Sequence, residues 1–428
     1  MALAGEHGLV FVSGRWSLVV GRSPLVALGE FSVSIGKEFM IRGLRSQFAL
    51  VLTALWLAGS AVAQTGHAGG SGSAFRENPL AFARAQKLKR GINASEWFAQ
   101  VYDKRGYTKE HFENWTTADD IALIKAMGFD HVRLSVNPQP MFDEREPNKI
   151  PAAYLTSLDT AVKVILDHGL SVVIDLHPEG DFKARLAKDD LFVEKLADFW
   201  RALAEHYSTW DAERVFLEIL NEPEFSDRYR WLGVHMRLAA AIREGAPLHT
   251  IIAAGARWSD DDDLVFQEPL RDPNVIYSFH FYEPHIFTHQ GATWSAYYWH
   301  WLRGVRYPST PENAERAAAL VPDEVDRLQV IRYGQDHWDA ARIAAEMKQA
   351  AEWARRRSVP LICDEFGVYR EFADPNDRAA WLHDVRTALE HEGIGWTMWD
   401  YSGSFGVVTK KDGKAVADDG VLRALGMK

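Results

Sequence analysis

The chain has 428 residues, 47% of them hydrophobic and 25% charged, which supplies one large core or two ordinary ones and excludes a disordered, collagenous or disulfide-stapled chain. A formal charge of −11 with no Lys/Arg-rich run argues against nucleic acid and anionic membrane as partners and favours neutral ligands. The single cysteine, Cys363, excludes an internal disulfide, a cysteine-rich zinc site and an iron–sulfur cluster. With 16 Trp, 13 Tyr and 22 Phe, flat apolar ligand faces come into view, sugars among them.

Residues 1–39 show no folding pattern and read as an upstream extension outside any fold. From Met40, Arg42 and Arg45 precede an apolar stretch over Phe48–Leu57 and the small residues Ala61-Val62-Ala63. Residues 40–63 thus read as a signal peptide cleaved before Gln64, which predicts a secreted or periplasmic protein. The apolar stretch is short for a membrane span and no cysteine follows it, so no stable anchor is expected after cleavage. Residues 64–85, with the GHAGGSGS run from Gly66 to Ser73, read as a linker. One domain is expected over residues 86–428.

Within that domain, eight β-rich runs alternate with amphipathic segments: Leu88–Ile92, His131–Val136, Ser171–Leu176, Val215–Leu220, Thr250–Ala254, Val275–Phe281, Pro360–Cys363 and Gly395–Trp399. Between them, Leu155, Leu158, Val162 and Ile165 recur at helical spacing and stop at Gly169. Phe192, Leu196, Phe199 and Leu203 mark a second buried stripe. No G-x-G-x-x-G follows the first strand, so a closed (β/α)₈ barrel is predicted rather than an open nucleotide-binding sheet.

In such a barrel the chemistry sits where strands end. The polar and aromatic residues there are Asn93, Arg133 with Asn137, His177, Asn221 with Glu222, Arg257 with Trp258, His280 with Tyr282, Glu365, and Trp399. Two strands, FLEILNEP and PLICDEFG, deliver Glu222 and Glu365 to the mouth. A carboxyl pair of this kind suits glycosidic cleavage, one acid protonating the leaving oxygen while the other attacks the anomeric carbon or activates water. Strand alternation places Glu218 well below Glu222 as an interior polar group, and Asp175 a layer below His177. It also turns Asp364 toward the helices and puts Cys363 inside the barrel with Glu365.

With Asn221-Glu222-Pro223 ending the fourth strand and Glu365 ending the seventh, residues 86–428 resemble glycoside hydrolase family 5, the cellulase-like barrels of the retaining clan. The resemblance implies that Glu222 is the acid/base and Glu365 the nucleophile, about 5 to 5.5 Å apart. It extends to Arg133, His177, Asn221, His280, Tyr282 and Trp399 as substrate-binding or supporting residues. Arg133 and the Tyr282 hydroxyl near Glu365 would favour its ionised form, while a drier Glu222 would be raised toward neutrality. Two features depart from common family patterns: Leu176-His177-Pro178-Glu179-Gly180 lacks the Pro-Gly turn many members carry there, and a long connection follows strand six.

Several groups have two readings. Asn221 could bond the sugar 2-hydroxyl or cap its loop, and Trp399 could carry a pyranose face or pack the rim. His280, His285, His289 and His300 match no metal spacing, so no metal and no cofactor are expected. The acidic run Asp260–Asp263 reads as a solvated loop. The connection 283–359 carries Trp294, Tyr297, Tyr298, Trp299, Trp301 and Tyr307. It is either an added helix packed on the barrel or a wall of the cleft in which Trp294, Trp299 and Trp301, with Trp258 after strand five, form distal sugar contacts. The expectation is a monomeric endo-acting β-1,4-glucanase. The alternatives are an exo-β-glucosidase, a β-1,3-glucanase or a β-mannanase of the same family, and, from another class, a non-catalytic carbohydrate-binding barrel.

Overall fold

The computed structural model describes residues 10–12, 15–17, 79–411 and 413–427. The segment expected to direct export, 40–63, lies outside them. Within the first 71 residues, Val10–Val12 pairs antiparallel with Arg15–Ser17, Phe11 opposite Trp16. The remainder of residues 1–39, expected to stand outside the fold, lies outside the described residues. The linker assignment of 64–85 is corrected at its end, where Pro79–Ala85 forms a helix. Seven residues are too few to show a periodic stripe, and the helix is held by distant contacts instead. Arg84, 5% exposed, donates to Thr250 Oγ1 at 3.1 Å and pairs with Glu213 at 3.0 Å.

From residue 86 the chain closes into the predicted barrel. Its strands are β1 (Arg90–Phe98), β2 (His131–Val136), β3 (Ser171–Leu176), β4 (Val215–Glu218), β5 (Thr250–Ala254), β6 (Val275–Phe281), β7 (Leu361–Phe366) and β8 (Gly395–Met398). Each pairs in parallel with its sequence neighbour, and β8 pairs with β1. Helices occupy every crossover, among them the two foreseen from their stripes, Ala152–Asp167 and Asp190–Tyr207. The first stops ahead of Gly169, whose φ of 71° suits a residue without a Cβ. Asp189 starts the second by accepting the Phe192 N–H at 3.1 Å.

Inside the barrel the lower half is apolar. Leu88, Val173, Phe216, Ile252, Ile276 and Ile362 form one closed layer, with Ala85 of the N-terminal helix packed against it. Above it the inward residues turn polar: Arg133, Ser135, Asp175, Glu218, Ser278 and Asp364 are all buried.

Asp364 belongs to this set against expectation. Phe279 pairs with Cys363, yet His280 pairs with Glu365; on the other side Trp396 pairs with Cys363 and Met398 with Phe366. One extra residue therefore sits in β7, and a bulge reverses the alternation beyond it. Ile362 and Asp364 face inward, Cys363 packs in the outer core between sheet and helices, and Glu365 returns to the mouth.

The acidic run is also corrected. Asp261–Leu264 is a short helix, and Asp263, 2% exposed, accepts the Ala256 N–H at 2.7 Å beside Arg257 and Arg228. Between β6 and the crossover helix Ala340–Arg357, the long connection adds a 3₁₀ turn at Tyr297–Trp301 and three helices, His285–Thr288, Pro311–Ala318 and Glu324–Gln335.

Candidate active site

Arg133, the inward residue in the middle of β2, organises the mouth. Its side chain is fully buried, and all five of its N–H donors are used. Nε and Nη2 hold the two oxygens of Glu218, each at 2.7 Å. Nη1 donates to Glu365 Oε1 at 2.6 Å and Asn93 Oδ1 at 2.9 Å, and Nη2 to Asn221 Oδ1 at 3.0 Å. Asp175 Oδ2 lies 3.1 Å from the same nitrogen. Glu218 thus sits one guanidinium beneath Glu365, as an interior group.

The second oxygen of Glu365 accepts the Tyr282 hydroxyl at 2.9 Å. Both oxygens of this carboxylate are therefore engaged by donors, which fixes its orientation. Across the mouth, β4 ends at Glu218 and the chain turns so that Glu222 takes a positive φ of 43°, a strained conformation for a residue with a side chain. Glu222 Oε1 accepts His280 Nδ1–H at 3.1 Å, and the same nitrogen is 3.5 Å from Glu365 Oε2. Glu222, His280 and Glu365 bring one nitrogen or oxygen each within 4.8 Å of one another.

The expectation of a drier, raised Glu222 is corrected. Burial pushes its carboxyl up, but the His280 hydrogen bond and the charges of Lys183 and His280 outweigh that and take it down to about 2. Burial in turn pushes His280 down, but the Glu365 charge, the Glu222 hydrogen bond and Asp364 raise it to about 9. The proton shared by this pair rests on the imidazole. With its proton shared between His280 and Glu222, the trio reads as a proton-handling group.

The family model described as Cellulase (glycosyl hydrolase family 5) matches residues 93–404. The chain belongs to glycosyl hydrolase family 5. Endoglucanase C of Acetivibrio thermocellus is 29% identical over 343 residues, covering 78% of this chain and 96% of that protein. Endoglucanase 3 of Fibrobacter succinogenes is 26% identical over 375 residues, 82% of this chain and 54% of that one. Thermotoga maritima Cel5A in complex with cellobiose has the same fold, with a TM-score of 0.67 at 25% identity over 81% of this chain and 99% of that one. This chain is accordingly a glycoside hydrolase, similar to endoglucanases.

On the family 5 barrel the remaining expected residues fall into two groups. His177, Asn221 and Trp399 meet at the mouth: Asn221 Nδ2 donates to His177 Nε2 at 3.2 Å, His177 Nδ1–H donates to Asp175 at 2.8 Å, and the His177 ring stacks on Trp399 at 5.7 Å. One Asn221 N–H is left for a ligand. The aromatic candidates separate. Trp299 is buried and stacks on His285 at 5.3 Å, which makes it packing. Trp294, 56% exposed, reaches the mouth through ring contacts: it meets Phe405 at 6.4 Å and His289 at 6.3 Å, and both of these touch Tyr282. Trp258, 45% exposed, is anchored beside Glu222 by its N–H to Pro223 O at 3.0 Å. Trp301 is 39% exposed, against His300.

Sequence reasoning missed two participants. Asp364 was hidden by the bulge. Lys183, on the helix Asp181–Leu186 after β3, looked like one of several surface cations in KARLAK, yet it is buried with Nζ 3.9 Å from Glu222 Oε2. No motif marks it.

Proposed function

We propose that this protein is an exported endo-β-1,4-glucanase that cleaves with retention, Glu365 acting as nucleophile and Glu222 as acid/base. The observation that carries the reading is the carboxyl pair whose oxygens approach within 4.8 Å across His280, with one member held in place by Arg133 and Tyr282. Inverting sites need roughly 6.5–9.5 Å between carboxyl groups to admit a water. In the first step Glu365 Oε2 bonds the anomeric carbon and the glycosidic C–O bond breaks. The leaving oxygen takes a proton that passes to it from His280 through Glu222, which leaves Glu222 ionised and His280 neutral. In the second step water bonds the anomeric carbon, the bond to Glu365 breaks with its electron pair returning to that carboxylate, and the water's proton passes through Glu222 back to His280. The free Asn221 N–H suits the sugar 2-hydroxyl, and Trp399 its apolar face.

The β-1,4-glucan preference rests on the endoglucanase relatives and on the exposed rings of Trp258 and Trp294 beside the mouth. Export rests on residues 40–63, and the mature chain is expected to begin at Gln64, which N-terminal sequencing of secreted protein checks. For the chemistry, Glu365→Gln should lose at least about 10³-fold in kcat on every substrate. Glu222→Gln should keep more activity on aryl glycosides with good leaving groups. Azide should rescue Glu222→Ala and give a β-azide. An α-configured product, or identical responses of the two variants to leaving-group acidity, would sink the assignment. Reducing-sugar release from β-glucans, mannan and xylan, with product sizes, separates the endo-glucanase reading from its relatives.

A further inference from the structure

Lysine is among the side chains least often buried, and an ammonium out of water needs close compensation. Lys183 is nonetheless 6% exposed, its Nζ 3.9 Å from Glu222 and 3.7 Å from Glu224. At these separations it acts on Glu222 through charge rather than by a hydrogen bond. Other groups face Glu222 from every side. His280 comes from β6, His177 from the end of β3, and Glu365 and Tyr282 from the opposite wall. Asp260 follows β5, and His285 and His289 come from the connection after β6. Within this ring, His280 supplies the proton and His177 bonds Asn221 and Asp175. Lys183 alone adds a cation that neither donates to Glu222 nor touches the nucleophile's other partners.

We propose that Lys183 is a positioning residue that biases Glu222 toward its carboxylate, the form required when it takes the proton of the attacking water. The inference rests on Glu222 being the acid/base. An acid/base must be protonated for the first step and ionised for the second, so a cation fixed beside it favours the second at the expense of the first. In that second step the water oxygen bonds the anomeric carbon, the bond to Glu365 breaks, its electron pair returns to Glu365, and the proton goes to Glu222.

The test uses the full chain with Lys183→Met, Lys183→Gln and Lys183→Arg. The substrates are a 2,4-dinitrophenyl β-cellobioside, whose departure needs no protonation, and an unactivated cello-oligosaccharide. In the Met and Gln variants the acid limb of kcat on the dinitrophenyl substrate should move up by about one pH unit, with about tenfold lower kcat below it. The alkaline limb of kcat/KM on the oligosaccharide should move up by a similar amount, and Lys183→Arg should restore both limbs. Unmoved limbs in an active variant, or limbs that move but are not restored by Arg, overturn the role of Lys183 and leave the hydrolase reading intact. An unsubstituted protein with no turnover on either substrate overturns the reading of Glu222 and this inference with it.

Discussion

The two halves of the barrel interior are built on opposite principles. Below, six apolar side chains close a dry layer that asks nothing of charge. Above, Arg133, His280 and Lys183 stand among the acids Asp175, Glu218, Glu222, Asp364 and Glu365, three cations against five carboxyls. Packing alone can stabilise the lower half. The upper half is tenable only if every donor is placed and some acids keep their protons, so its geometry is fixed by satisfaction of charge.

That contrast is broken most severely at Arg133. Arg133→Leu should abolish activity and destabilise the fold by about 3–5 kcal/mol, because it strands Glu218 and Asp175 without their partner. Denaturant unfolding together with aryl-glycosidase assays would check this, and an active, stable variant would refute the hub. In the lower layer Ile276→Ala should destabilise by about 2–5 kcal/mol yet leave kcat/KM unchanged well below the melting temperature.

A pH series sharpens the comparison. Burial pushes Asp175 and Asp364 up to about 6 and Glu218 up to about 7, with the Arg133 charge opposing it. The unfolded chain releases these protons near pH 4, so the native state holds more protons between about pH 4 and 7 and its stability falls as pH rises through that window. Asp175→Asn removes one such group. Its stability relative to the unsubstituted protein should improve between pH 4.5 and 7, whereas Ile276→Ala should show a constant difference. A constant difference for both would place the protons elsewhere.

The smallest effect belongs to the rim. Trp294→Ala should lower kcat/KM on polysaccharide by up to about tenfold, with little change on a short aryl glycoside or in Tm. Trp299→Ala should lower Tm and affect both substrates alike. If the two variants behave identically, exposure does not separate wall from packing in this connection.

The sequence carried the eight strands and the carboxyl pair because alternation and strand-end position are local properties. Glu222 and Glu365 are legible as the ends of apolar runs, and Arg133 as an inward residue of β2. What escaped was set by contacts between distant segments. Alternation counted straight through β7 assigns Asp364 and Cys363 to the wrong faces, since one inserted residue is visible only in pairing with β6 and β8. The ionisation of Glu222 depends on His280 and Lys183, 58 and 39 positions away, and no spacing rule links them. The helix Pro79–Ala85 is too brief for a stripe and is anchored by one arginine to residues more than a hundred positions on.

That same helix determines how the molecule can be mounted. It packs on the floor of the barrel, with Arg84 holding the entry to β5 and Ala85 against the apolar layer, while Glu222 and Glu365 lie at the other end of the strands. A carrier, bead or surface joined ahead of Pro79 therefore meets the chain on the side remote from the substrate. Immobilised by that end, the enzyme would stand with its mouth outward, free to settle on a polymer too large to diffuse to it.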